Sequence, residues 1–411
     1  FKTTDSGAHW TSITNGLPAD DYAWAIAQDP REPDLLLLTT KTTVYVSLDR
    51  GSSWKPLSLN LPPVQVRDVA FDNREGEVVI ATHGRAFWVL DNLSLLEQAT
   101  TQPEVASSAP ALFAPQKVWL THAYGRPDRP RGGGTSGENP AFGATVFFHV
   151  PSSYVGKTPM KLTFLDSRGG TVRSFDLHLK EKASTSKDEG EQAAAAQTPA
   201  ERKAAAQKRL TAIEPGMNSF QWDLRYTEAT EVKGFHVPIA AGGLTDEVDG
   251  PVVTPGSYRV ELDYGGKTME TSFDVALDPR LDATQADLEA RLALRQKIQA
   301  DLDALDRTIN RAIDLRDSLE SGAASGTRAG AVADLDAAIG SLVQMELHSS
   351  EGPLLHEAKL RSHLAYLGAE LDMAYVKPTP AQVAVFRELD RQAHDGEKAL
   401  ESAMSKARSA R

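Results

Sequence analysis

Apolar positions along this chain change their period twice, and each change marks a boundary. In the first ninety residues they form short runs at 22–27, 35–40 and 43–47, then at 66–71, 78–82 and 86–90. Asp-Pro, Asn-Arg-Glu-Gly and similar turn residues separate these runs, a pattern that predicts two successive meanders of short strands. From residue 143 a second strand-rich stretch follows, at 144–150, 160–166, 171–179, 218–226, 256–264 and 269–277. Its alternation is clearest in Ser257-Tyr258-Arg259-Val260-Glu261-Leu262, which turns one side to a core and the other to water. Beyond Asp278-Pro279-Arg280 the period becomes helical. Leu288, Leu292, Ile298, Leu302, Leu305, Ile309 and Ile313 recur at steps of mostly three or four, behind an N-cap in Asp282-Ala283-Thr284. Helices are expected at about 328–348, 354–376 and 379–408 after the first one stops near Ser321-Gly322. Together they make an antiparallel bundle.

Within the first stretch a motif occurs twice. Thr3-Thr4-Asp5-Ser6-Gly7-Ala8-His9-Trp10 and Ser47-Leu48-Asp49-Arg50-Gly51-Ser52-Ser53-Trp54 both fit S/T-x-D-x-G-x-x-W, with the aspartates 44 residues apart (49 − 5). Each copy runs on to a Leu-Pro pair, Leu17-Pro18 and Leu61-Pro62. Repeats of roughly 40–50 residues read as propeller blades. The motif also has a mechanical reading. Asp5 and Asp49 accept hydrogen bonds from main-chain N–H groups a few residues on. Gly7 and Gly51 supply a backbone conformation that a Cβ resists. Trp10 and Trp54 close the turn by packing beneath the blade. On this reading the aspartates hold turns and do no chemistry.

The repeat resembles the Asp-box (BNR-type) repeat of sialidases, of some other glycoside hydrolases and of sortilin-type receptor propellers. The segment Ala81-Thr82-His83-Gly84-Arg85-Ala86-Phe87-Trp88-Val89-Leu90-Asp91 resembles the closing segment of bacterial sortilin-like propeller proteins often labelled glycosyl hydrolase. The stretches 218–226 and 255–260 resemble the Ig-like module that follows the propeller in that family, with Trp222 as its core anchor. The resemblance implies the last blades of an incomplete β-propeller at 1–95 and an Ig-like β-sandwich at 143–280. Between them, 96–142 is a connector with a Gly/Pro/Arg-rich loop. A Lys/Glu/Ala-rich insertion at about 180–209 is expected as a mobile excursion or a loosely held helix, a second insertion at 233–253 is a candidate to fold over the sandwich edge, and 281–411 is the helical bundle. Two blades do not close a ring, so the chain is expected to be the C-terminal remainder of a longer polypeptide, with any signal peptide upstream.

Composition narrows the field. The 411 residues are 41% hydrophobic and 24% charged, as in a globular protein of several domains. A net charge of −12 argues against nucleic acid or an anionic membrane as the main partner. No apolar run reaches the roughly 20 residues of a bilayer span. The absence of cysteine excludes disulfides and thiolate metal sites, and no cofactor or metal is expected.

Candidate binding residues are His83 and Arg85, at a strand-to-strand turn, where they either line a propeller mouth or bond to the neighbouring blade. Tyr124, Arg126 and Arg129 lie in the irregular loop, which reads first as a solvated linker and otherwise as a surface where arginines clamp a carboxylate on a glycan or partner. No H-E-x-x-H, G-x-S-x-G or phosphate loop stands in the sequence, and no catalytic residue is assigned. Two readings follow from the resemblance. One is an exported, periplasmic or secreted propeller protein that binds a peptide, protein or glycan, with Ig-like and helical parts as spacers or an assembly surface. The other is a glycoside hydrolase, sialidase-like or of another Asp-box type, with its catalytic residues in upstream blades. The binding reading is preferred, leaning against an enzyme in this stretch.

Overall fold

The computed structural model describes residues 1–101, 109–121, 142–180, 207–237, 245–246, 248–321, 326–347 and 355–409. The architecture is mixed: several β-sheets, then a C-terminal helical bundle. No helix among the described residues is long and apolar enough to cross a membrane.

The first two sheets are sequential meanders, as the spacing of apolar runs requires. Strands β1 (Ala23–Gln28), β2 (Leu36–Thr40), β3 (Val44–Ser47) and β4 (Lys55–Pro56) pair antiparallel in chain order. Strands β5 (Val66–Asp72), β6 (Glu77–Thr82) and β7 (Phe87–Leu90) do the same. Alternate side chains of the two sheets meet in one core: Leu35, Leu37, Val44 and Val46 pack against Val66, Val69, Val78 and Ile80. A small apolar cavity of about 60 Å³ remains between them, beside Leu57, Leu61 and Trp88. Helix α1 (Leu93–Thr101) leads away, buried at Leu93. Its Gln98 side chain bonds both main-chain groups of Ala114 and so fixes the connector to the first unit.

A second core lies between a six-stranded and a three-stranded sheet. The larger sheet contains β9 (Val118–Leu120), β11 (Met160–Leu165), β12 (Thr171–Leu179), β13 (Ala212–Ile213), β15 (Gly256–Tyr264) and β16 (Lys267–Leu277). The smaller holds β8 (Ala111–Leu112), β10 (Ala144–Val150) and β14 (Gly216–Trp222). Trp222 is fully buried and stacks on Phe164 with ring centroids 4.3 Å apart, which joins the two sheets face to face. Five of the six expected strands match within two residues at each end. The sixth stops at Trp222 because Leu224 turns the chain with φ of 58°. The larger sheet has parallel pairs at both ends, β12 with β13 and β16 with β9.

Helices α2 (Gln285–Glu320), α3 (Gly326–Leu342), α4 (Leu360–Asp372) and α5 (Pro380–Ser409) form the bundle. Thr284 caps α2 as expected, with Asp287 completing a reciprocal capping box. The expectation of an all-antiparallel bundle needs correction. Arg311 pairs with Glu401, and ten residues earlier on α2 Asp301 faces Asp390 and His394, so α2 and α5 run in the same direction. By contrast Asp306 meets Arg361 while Arg295 meets Asp372, so α2 and α4 run oppositely.

The expected insertion at 233–253 divides, where it is described, between the bundle and the sheet unit. Its end stays with the sheet unit, where Val252 and Val253 enter the core and Val253 N–H donates to the Leu224 carbonyl oxygen. Ala229, Val232 and Val248 enter the apolar core of the bundle, and Arg361 donates to the carbonyl oxygens of Thr245 and Asp246. Most of the expected insertion at 180–209 (residues 181–206), and Gly242-Gly243, lie outside the described residues.

Candidate functional site

The two repeated turns have the same geometry. In the first, Asp5 Oδ1 accepts from the Thr3 hydroxyl at 2.8 Å and from His9 N–H at 2.9 Å, and the Thr3 hydroxyl oxygen accepts from Gly7 N–H at 2.8 Å. In the second, Asp49 Oδ1 accepts from the Ser47 hydroxyl at 2.7 Å and from Ser53 N–H at 2.8 Å, and Ser47 accepts from Gly51 N–H at 2.8 Å. Gly7 and Gly51 both have positive φ, 96° and 84°. Hydrogen bonds from the main chain and side chain of His9 hold the Asp5 carboxyl down to about 2. At Asp49, burial pushes the carboxyl up, but hydrogen bonds from Ser53 and Ser47 outweigh it and leave the group below the ordinary value. Both carboxylates are committed to their own turns.

The tryptophans differ. Trp54 is 4% exposed, packs among Leu36, Leu38, Tyr45, Ile13 and Leu17, and donates to the Ile13 carbonyl oxygen at 2.7 Å. Gly16, with φ of 91°, lets the main chain of Trp54 approach closer than any Cβ would permit. Trp10 corrects the expectation of a packed indole: it is 61% exposed and donates only to the Gly7 carbonyl oxygen of its own turn. The physical reason is the repeat itself. Trp54 closes on the segment between the two motifs, and Trp10 has no such segment against it among the described residues.

His83 and Arg85 stand at the tip of the β6–β7 hairpin. The turn closes through Thr82 N–H on the Ala86 carbonyl oxygen at 3.1 Å and Trp88 Nε1 on the Arg85 carbonyl oxygen at 3.0 Å, with Gly84 and Ala86 at positive φ. Both side chains are exposed and make no hydrogen bond or ion pair among the described residues. His83 N–H reaches the Gln65 carbonyl oxygen at 2.8 Å, and Gln65 Oε1 accepts from Arg67. The register then sets who shares this end: Val66 faces Thr82, Ala81 faces Phe87, and Ala23 faces Thr40. The starts of β1, β5 and β7 and the end of β6 therefore form one rim.

Four residues not singled out from the sequence complete that rim. The Arg67 guanidinium lies over the Trp24 ring at 3.7 Å. Tyr22 meets Trp24 edge to face at 5.3 Å, and Lys41 stands over Tyr22 at 5.8 Å. Tyr22 and Trp24 are half exposed. Arg67 and Lys41 thus lie over half-exposed aromatic rings, and His83 and Arg85 stand at the same sheet end, a combination suited to an anionic group carried on an apolar body. The signal was available: Tyr22 and Trp24 are large aromatics at alternate positions of a short strand. The β-bulge at Arg67, which turns its side chain across to β1, is a tertiary feature.

Tyr124, Arg126 and Arg129 lie outside the described residues. His363 is exposed on α4, while His356 lies half-buried ahead of that helix and His348 is outside the description. Among the described residues no group of three or more His, Asp or Glu side chains is arranged to hold a metal ion. Comparison with known proteins finds no matching family model, no matching curated protein and no matching solved structure.

Proposed function

We propose that the paired sheets are two blades of an Asp-box β-propeller in an exported protein that binds a peptide, protein or glycan, and that the rim of Tyr22, Trp24, Arg67, His83 and Arg85 receives an acidic part of that ligand. The single observation behind the binding reading is the Arg67 guanidinium stacked on Trp24 at the same sheet end as the unpaired His83 and Arg85. A stacked, oriented guanidinium loses little entropy on meeting a carboxylate, so it favours recognition by a fixed fork. The chain carries a net charge of −12, so a local cluster of cations departs from its surroundings.

The blade reading is supported by the 44-residue spacing of the aspartates (49 − 5), by the shared turn geometry, and by sequential antiparallel order in both sheets. It is also supported by two outward faces that stay apolar: Ile26 on β1, and Phe87 and Val89 on β7, are all more than half exposed. In a propeller such faces are covered by the next blades. The two-sheet unit with Trp222 at its centre would be the Ig-like module, and the bundle a spacer or assembly surface.

Arrays of acidic and neutral peptides and of sialylated and neutral oligosaccharides test this reading. Retention of acidic members alone, lost on adding salt, is the expected result. Turnover of a glycoside by the full-length protein would instead favour the hydrolase reading.

A further inference from the structure

The join between the second β unit and the bundle holds a cavity of about 330 Å³, lined by Arg225, Arg295, Asp249, Asp372, Ala369 and Met373 among others. That is the share of roughly ten water molecules. Arg225 comes from the chain just after β14, Arg295 from α2 and Asp372 from the last residue of α4, so three separate elements converge there.

The lining carries two arginines and two aspartates, but of the two carboxylates only that of Asp372 is largely buried. Asp372 Oδ2 accepts from Arg225 at 2.8 Å and lies 3.4 Å from Arg295 Nε, which makes no hydrogen bond although it is buried. One turn earlier on α2, Arg291 is 1% exposed, stands over the Tyr375 ring at 4.8 Å, and leaves its Nη2 without a hydrogen-bond partner. Main-chain oxygens take up part of the remaining capacity: Gly250 accepts from Arg225, Asp249 from Arg295 and Ala374 from Arg291. Three guanidinium groups therefore share one buried carboxylate, with the exposed Asp249 acting on both Arg225 and Arg295, and Asp223 on Arg225, from farther off. Burial, first, and the neighbouring Arg225, among other charges, hold Arg291 and Arg295 below the ordinary arginine value. Burying like charges this close is costly unless an anion is present to offset them.

We propose that this cavity binds a small oxyanion, the carboxylate or phosphate of a metabolite-sized ligand, on the guanidinium groups of Arg225 and Arg295. Arg291 stands behind them and adds to the field. Gly368 fits this arrangement, since a Cβ there would come within 3.0 Å of the Arg295 guanidinium carbon and push it from its place. The site is independent of the propeller rim, and it sits where ligand binding stiffens the join between sheet unit and bundle.

Calorimetric titration of the full chain tests it, with sodium phosphate and, separately, sodium succinate, at ionic strength fixed with sodium chloride. Saturable binding of one of the two, absent with chloride alone, is expected and tells a phosphate head from a carboxylate. Arg295→Gln should weaken that binding by roughly tenfold or more. Ala369→Leu, which fills the cavity and leaves every charge in place, should abolish it. Asp372→Asn removes the internal competitor and should tighten it severalfold, whereas a purely structural ion cluster would only lose stability. Failure of both anions to bind, or binding that survives both Arg295→Gln and Ala369→Leu, would overturn the proposal.

Discussion

The indole N–H of Trp54 donates to the carbonyl oxygen of Ile13 at 2.7 Å, across the join between the two turn repeats. One repeat thus supplies the lid of the next, and the tryptophan is a joint between units rather than a plug beneath its own turn. Trp54→Ala should lower stability by about 3–5 kcal/mol, the usual cost of emptying a large aromatic site. Trp10→Ala, at an exposed position, should change it by less than about 0.5 kcal/mol. Urea unfolding of both variants measures the contrast, and equal losses would contradict the joint.

Asp49 holds its turn through hydrogen bonds from Ser47 and from the main chain and side chain of Ser53. Asp49→Ala should cost about 1–2 kcal/mol, and Asp49→Asn less, since an amide oxygen still accepts. A variant of full stability that has lost ligand binding would show that this carboxylate has a role outside its turn.

Much of this was legible in advance because it is local. The strand runs at 66–71 and 256–264, the turn pair at Asp5 and Asp49, and the cap at Thr284 all rest on spacing within a few residues. What stayed hidden depends on distant partners. Arg291 and Arg295 fall on the buried side of α2 although their type marks them for the surface, because Asp372, Tyr375 and main-chain oxygens from other elements meet them there. Ala229, Val232 and Val248 show no helical or strand period, so nothing local revealed that they would enter the bundle core. At the rim, His83 and Arg85 were visible as a turn, but the pairing of Arg67 with Trp24 required knowing that β1 and β5 lie side by side.

Asp301 on α2 faces Asp390 on α5, and burial followed by that like charge raises its carboxyl to about 6. A carboxyl raised in the folded state contributes stability below its unfolded value of 3.8, and that contribution is lost as pH rises through about 6. Asp301→Asn should therefore stabilise the protein at pH 7 and change little at pH 4. The group is partly solvated, so the gain at pH 7 should be only about 1 kcal/mol after screening. Thermal unfolding at the two pH values checks it; destabilisation at pH 7 would mean that the ionised carboxylate serves the α2–α5 contact.

The most direct test of the account is a titration of the tryptophan fluorescence that is lost in Trp24→Phe, at low ionic strength, with an oligo-glutamate peptide and with a sialylated oligosaccharide. Saturable quenching by at least one of them is predicted, weakened by added salt, and reduced roughly tenfold in Arg67→Ala. A circular dichroism spectrum identical to the parent would show that this variant is folded. Affinity for every acidic ligand unchanged in Arg67→Ala, or no saturable response to either probe, would contradict the claim that this rim is the binding surface.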